Sequence, residues 1–261
     1  TIHSFCQSLL RRFCLEAVLN VNFQIIDNNQ ERFLIEAAQR RSFTNENIAA
    51  AIDLIAAELH FSNIPQILNN IVAERGKIML VLEHHQGKEN MLKALAKKIG
   101  LQQPVKTNAA LLADYKINND LIRELHEIGK NVEGKIAQTM ARNVAVIFNA
   151  NQLDEDNFTI YKKIFFDSKQ QERKFIYSKA QKKIIIEQHL HPAMQKEQQN
   201  LSALLDKMAI NNIYILTSAL LDIAEEFLAQ YKNLKAAKGL LDYDDLILRT
   251  TKLLAESTAK E

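Results

Sequence analysis

Two groups of residues bring charged side chains together closely enough to bind a ligand. The first lies between residues 161 and 183, where Lys162, Lys163, Lys169, Arg173, Lys174, Lys179, Lys182 and Lys183 give eight positive charges. Asp167 and Glu172 offset two of them, so the local net charge is +6. Tyr161, Phe165, Phe166, Phe175 and Tyr177 are interleaved with the cations. Lysines and an arginine in a cluster can neutralise phosphates, and exposed aromatic rings can stack on bases. The same pattern also describes an amphipathic segment with core aromatics and solvated lysines. The residues alone leave these two readings even.

The second group is Asp242, Asp244 and Asp245, ahead of an apolar periodic segment. Three carboxylates could hold Mg²⁺. Asp242 or Asp244 could instead cap the final helix, where acids in the first turn also suit the helix dipole. No other acids are placed by sequence to complete a metal shell, so capping is expected and no metal site is.

Other apparent sites lack their context. Gly129 to Lys135 matches Gly-x4-Gly-Lys, but Ile136 stands where a phosphate loop needs Ser or Thr, and residues 121–128 have helical rather than strand spacing. Glu187, His189 and His191, and the pair His84-His85, do not supply three converging ligands at metal-site spacing. No Ser or Cys has a base placed beside it, so no catalytic residue is expected.

Both groups sit in a chain whose spacing is helical. Apolar residues recur at three and four along nearly the whole chain. The spacing predicts helices over 2–19, 30–41, 45–60, 64–84, 88–99, 154–167 and 244–256. A long pattern over 119–149 is expected to break near Gly129 and Gly134. Another over 192–238 is expected to break near Asn211 and Asn212. Phe23 to Ile26 is the best strand candidate. The chain of 261 residues has only 6 Gly and 3 Pro, which fits long helices with few turns. No fixed-period repeat and no Gly-, Pro- or Ser-rich linker divides it.

Composition bounds the class. Hydrophobic residues make up 47% and charged residues 25%, an ordinary globular usage that can bury a sizeable core. Net charge is +2, so any basic site must be local. Cys6 and Cys14 stand about 12 Å apart on one helix, too far for a disulfide, and read as reduced thiols of a cytoplasmic protein. No membrane-spanning run and no signal peptide is read. A start without Met and a polar tail at the end fit an excised fragment.

Two stretches carry a family resemblance. Thr1-Ile2-His3-Ser4 resembles the Thr-x-His-Ser motif of UvrD-like superfamily 1 helicases, and its continuation through Phe13 resembles the AddA subunit of bacterial double-strand-break repair helicase-nucleases. That pattern carries Pro at the place of Cys14 and Gly near Val18, where this chain departs from it, loosening the turn expected after Phe13. The second stretch runs from Tyr231 and Lys235 to Asp242-Tyr243-Asp244-Asp245-Leu246. It resembles the Tyr-x-x-x-Lys and aspartate-aromatic-Asp-Asp-Leu block upstream of the family's Walker B strand. Between these anchors the resemblance is diffuse.

The resemblance implies a mainly α fold: a helical insertion domain of a P-loop helicase over 28–240, with 1–27 and 241–261 as peripheral pieces of the first RecA-like motor domain. It implies that Thr1, His3 and Ser4 contact the translocating single strand. A hydroxyl and an imidazole suit that role, because they bind phosphate oxygens without reading bases. It also tips the basic stretch toward phosphate contact through Lys162, Lys163, Arg173, Lys174, Lys179, Lys182 and Lys183. Tyr231, Lys235, Asp242, Asp244 and Asp245 are its structural motif.

The implied parent is an ATP-dependent DNA helicase of double-strand-break repair. Its partners would be DNA, as single strand and duplex junction, and a second helicase-nuclease subunit. It would be cytoplasmic and nucleoid-associated in a bacterium. The chain itself is expected to lack ATPase and nuclease motifs and to be inactive alone, with no cofactor of its own; ATP and Mg belong to the parent. The alternative is a helical docking module without a DNA role, marked by an exposed apolar patch.

Overall fold

The computed structural model describes residues 1–59, 61–105, 107–150, 152–174, 176–177 and 190–258. It is mainly helical. The helices are α1 (Ile2–Arg12), α2 (Asn28–Phe43), α3 (Ala49–Glu58), α4 (Ile64–His84), α5 (Lys88–Lys98), α6 (Asn108–Ala113), α7 (Asn119–Gly129), α8 (Lys135–Phe148), α9 (Glu155–Phe165), α10 (Leu190–Ala237) and α11 (Tyr243–Thr258). Strands β1 (Gln24–Ile25) and β2 (Leu240–Leu241) pair in parallel, Gln24 beside Leu240 and Ile25 beside Leu241. The chain divides into two compact units. One comprises Thr1–Leu95 with Leu216–Glu261, and the other Ala96–Ile215.

The first unit has two apolar clusters. Leu34 and Ala38 of α2, Ile55 of α3, Leu68, Ile71 and Val72 of α4, and Ile223, Phe227 and Tyr231 of α10 form the larger one. A smaller cluster joins Cys6 and Leu10 of α1 to Phe23, Leu241 and Leu246. Cys6 and Leu10 are four apart, so they share one face of α1, and that face is what α1 buries. Asp27 opens α2 with a capping box in which Gln30 reciprocates.

Around Tyr161, Ile164 and Phe165 of α9 the second unit packs Leu121, Ile122 and Leu125 of α7, Met140, Val144 and Ile147 of α8, and Met194 and Leu201 of α10. Asp154 caps α9 with Asn157 in the reciprocal position. Deep in this unit, Glu197 accepts hydrogen bonds from Tyr115 Oη at 2.5 Å and from Tyr161 Oη.

Helix α6 and strand β2 are not expected from the spacing, and two further departures from the sequence expectations have a clear physical reason. The first helix ends at Arg12 instead of running on to Leu19, and residues 13–18 form turns. Leu19 N–H reaches back to Cys14 O at 2.8 Å, and Val18 takes a left-handed φ of +51°. That conformation is rare for a β-branched residue. It falls where the resembling pattern carries Gly. The chain turns there anyway because Ala17 and Leu19 pack onto the small core and Cys14 is buried, while Leu15 and Val18 point into solvent.

The second departure is the expected break at Asn211 and Asn212, since α10 is continuous. Asn211 is fully buried and bonds sideways. Its amide donates to Val105 O and Asn108 Oδ1, both at 3.2 Å, and its Oδ1 accepts from Val105 N–H at 3.2 Å. Asn108 Nδ2 donates to Asn212 Oδ1 at 2.7 Å. Amides satisfied across the unit do not compete with the helix's own backbone, which removes the usual reason Asn interrupts helices. The pattern over 119–149 does break between Gly129 and Gly134, giving α7 and α8.

Candidate nucleic-acid interface

The acidic block is a buried charge cluster in the first unit. Arg75 comes from α4, Tyr231 and Lys235 from successive turns of α10, Asp242 from the link after β2, and Asp244 and Asp245 from the first turn of α11. Arg75 Nη2 lies 2.5 Å from Asp242 Oδ1, and Arg75 Nη1 lies 3.0 Å from Asp244. Lys235 Nζ is 2.6 Å from Asp242 Oδ2 and 2.5 Å from Asp245 Oδ2. Tyr231 Oη donates to Asp242 Oδ2 at 3.1 Å. Asp242 also caps α11: Asp245 N–H donates to its Oδ1 at 2.8 Å, and Asp242 N–H donates to Asp245 Oδ2 at 3.2 Å.

Electrostatics follow from this geometry. Burial alone would push the Asp242 carboxyl up. Lys235 and then Arg75, with the Asp245 N–H, outweigh it and hold the carboxyl below its ordinary value. Burial, then the Asp242 charge, pushes the Tyr231 hydroxyl up. Glu31 of α2 is also raised, first by burial and then by the Asp242 charge. Both Asp242 oxygens, Asp244 Oδ2 and Asp245 Oδ2 are therefore taken by protein cations, N–H groups and the Tyr231 hydroxyl. Among the described residues no group of three or more His, Cys, Asp or Glu side chains could hold a metal ion.

Sequence reasoning named five members of this cluster and missed Arg75 and Glu31. A signal for Arg75 did exist. Ile64, Leu68, Ile71, Val72 and Arg75 are the buried positions of α4, so the arginine continues the helix's apolar face. A cation at such a position requires a buried anion.

Thr1, His3 and Ser4 lie at the start of α1. Thr1 is the N-cap, its Oγ1 accepting from Ser4 N–H at 3.3 Å and lying 2.9 Å from Ser4 Oγ. Thr1 and Ser4 are exposed and His3 is half-buried. The His3 ring packs on Tyr243, the first residue of α11, with centroids 4.9 Å apart. The two resembling stretches, from opposite ends of the chain, thus meet.

The basic stretch in the second unit resolves differently from its expected form. Tyr161, Phe165, Phe166 and Tyr177 are buried in the core. None of these four rings can stack on a base, so of the two readings open for the aromatics they take the core one. Tyr177 Oη donates to Leu125 O, and a Cβ at Gly129 would lie 2.7 Å from that hydroxyl. Close packing, not phosphate, accounts for the first glycine of the false phosphate loop.

Lys163 and Lys174 are exposed and Lys162 is half-buried. Arg173 is partly spent on structure, its Nε donating to Lys163 O at 3.1 Å and Phe166 O at 3.0 Å. Gln198 Nε2 pins the same loop through Phe165 O at 3.1 Å and Arg173 O at 2.8 Å. Lys179, Lys182 and Lys183 lie outside the described residues, as do Phe175, Glu187 and His189.

Among the described residues no helix is long and apolar enough to cross a membrane. The comparison with curated proteins returned no match. The sequence model of the UvrD/REP helicase N-terminal domain matches residues 1–261, and the chain therefore belongs to that family of UvrD-like superfamily 1 helicases.

Proposed function

We propose that this chain is the DNA-contacting part of an ATP-dependent helicase acting in double-strand-break repair, of the AddA type. The observation that carries this reading is the meeting of its two anchors through His3 and Tyr243. A motif that grips a strand must be held by the motor, and the Asp242 cluster supplies a rigid hold. Thr1, His3 and Ser4 sit at an open helix start, where N–H groups and the helix dipole favour a phosphate.

Pairing of β1 with β2 supports assigning 1–27 and 241–261 to the periphery of a motor domain, with 28–240 as the helical insertion. Lys162, Lys163, Arg173 and Lys174, with Lys179, Lys182 and Lys183, would hold backbone phosphates of the single strand or duplex junction. Without exposed rings that contact is electrostatic and sequence-blind. ATP and Mg would serve the parent motor, and a second helicase-nuclease subunit would be its partner.

Anisotropy of the chain with a fluorescent tailed duplex, titrated across salt, tests this. Replacing Lys162, Lys163 and Lys174 with Gln leaves the loop-holding Arg173 in place. The variant should bind more weakly, with a log–log salt slope shallower by roughly 2. Unchanged affinity and slope would refute the phosphate role.

A docking module without a DNA role is favoured by one observation: Met79, Leu80 and Val81 are consecutive, apolar and exposed on α4. Absence of any DNA binding at low salt would favour that reading.

A further inference from the structure

Tyr243 is 52% exposed although it directly follows Asp242, whose side chain is almost wholly buried. Its own burial therefore does not fix its place. Arg75, Lys235 and Tyr231 hold Asp242 on both carboxylate oxygens, and Asp245 locks the cap. With the backbone so fixed, the Tyr243 side chain leaves the first turn of α11 from a set position. The ring then meets His3, with planes tilted by 58°, an attractive aromatic arrangement. Among the described residues the His3 side chain makes no hydrogen bond or ion pair, and the specific contact of its imidazole is with the Tyr243 ring.

We propose that Tyr243 is a positioning residue for His3: the charge cluster fixes the tyrosine, and the tyrosine ring aims the imidazole at a backbone phosphate of single-stranded DNA. The proposal rests on the reading that Thr1, His3 and Ser4 contact the strand, and it deepens that reading. The hydroxyl of Tyr243 is not required, because the contact is made by the ring. An orientation held by packing lowers the ordering cost of each phosphate contact.

The test uses the full 261-residue chain, fluorescent oligothymidylate, and NMR of the histidine Cε1–H resonances, with His3 assigned by its loss in His3→Ala. Tyr243→Leu should remove the ring-current shift of the His3 resonance. It should also weaken binding roughly tenfold, about the value of one hydrogen bond to a charged group, and His3→Ala should match it. The double variant should be no weaker than either single one, as coupled residues require. Tyr243→Phe should keep both the shift and the affinity. A native-like affinity in Tyr243→Leu, with His3→Ala impaired, would overturn the positioning role alone. Fully additive losses would also overturn it, by giving the tyrosine its own contact with DNA. Native affinity in His3→Ala would overturn the strand-contact reading and this proposal together.

Discussion

Asp242 and Glu197 are both carboxylates with almost no exposed surface, one in each unit, yet they are satisfied in opposite ways. Asp242 is held by a guanidinium, an ammonium, a phenol and a backbone N–H. Glu197 accepts from the phenols of Tyr115 and Tyr161, and among the described residues it makes no ion pair. The first arrangement ties α4 and α10 to the start of α11 through charge. The second uses hydroxyls of rings that already belong to a core. A buried ion pair is costly to desolvate and adds little stability over an apolar substitute, so its presence calls for another reason. At Asp242 that reason is placement: it fixes the start of α11, and with it Tyr243 beside His3.

Single substitutions should separate the two carboxylates. The largest effect is expected from Arg75→Met, which strands Asp242 beside one remaining cation. Urea unfolding should show a loss of about 3–5 kcal/mol, the range for breaking one side of a buried pair. A loss under 1 kcal/mol, by the same order-of-magnitude reckoning, would mean the cluster is not under electrostatic stress.

Asp242→Asn should cost less, about 2–3 kcal/mol, and should change acid sensitivity. The sign follows from the lowered carboxyl. The contribution of the charged group is complete above the ordinary value of 3.8 and is lost as pH falls through the lower folded value. The native chain should therefore lose more stability than Asp242→Asn on acidification below 3.8. Parallel acid profiles in thermal melts would contradict this.

Glu197→Gln keeps an acceptor for both tyrosines and should cost about 1 kcal/mol or less. If it cost more than Asp242→Asn, the distinction between the two carboxylates would fail.

Glu31→Gln should have the smallest effect, and of opposite sign. Burial and Asp242 raise this carboxyl above its ordinary value of 4.5, so its charge opposes folding once pH exceeds the folded value. The variant should melt slightly higher at neutral pH and show no gain well below 4.5.

Helices were legible in the sequence because a 3.6-residue apolar period is a local property. Ile64–His84 is found as the spacing predicts, and Phe23 to Ile26 contains β1. Non-local satisfaction was not legible. Asn211 looks like a breaker until Val105 and Asn108 bond to it from elsewhere in the chain. The acidic block showed its cap, since Asp242 and Asp245 are three apart, but not its cation on α4. In the basic stretch the residues alone leave the place of the aromatics open. Alternation of Lys with Phe and Tyr is identical whether the rings face a base or a core, and only the packing of α7, α8 and α10 against Tyr161 and Phe165 decides it.

The most direct test of the account is photocrosslinking of the chain to oligothymidylate carrying photoreactive bases, with crosslinked peptides mapped by mass spectrometry. Crosslinks are expected in the peptide that begins at Thr1 and contains His3 and Ser4, and should be weakened when His3 is replaced by Ala. Crosslinks that avoid this peptide in the native chain, or that survive His3→Ala unchanged, would contradict it.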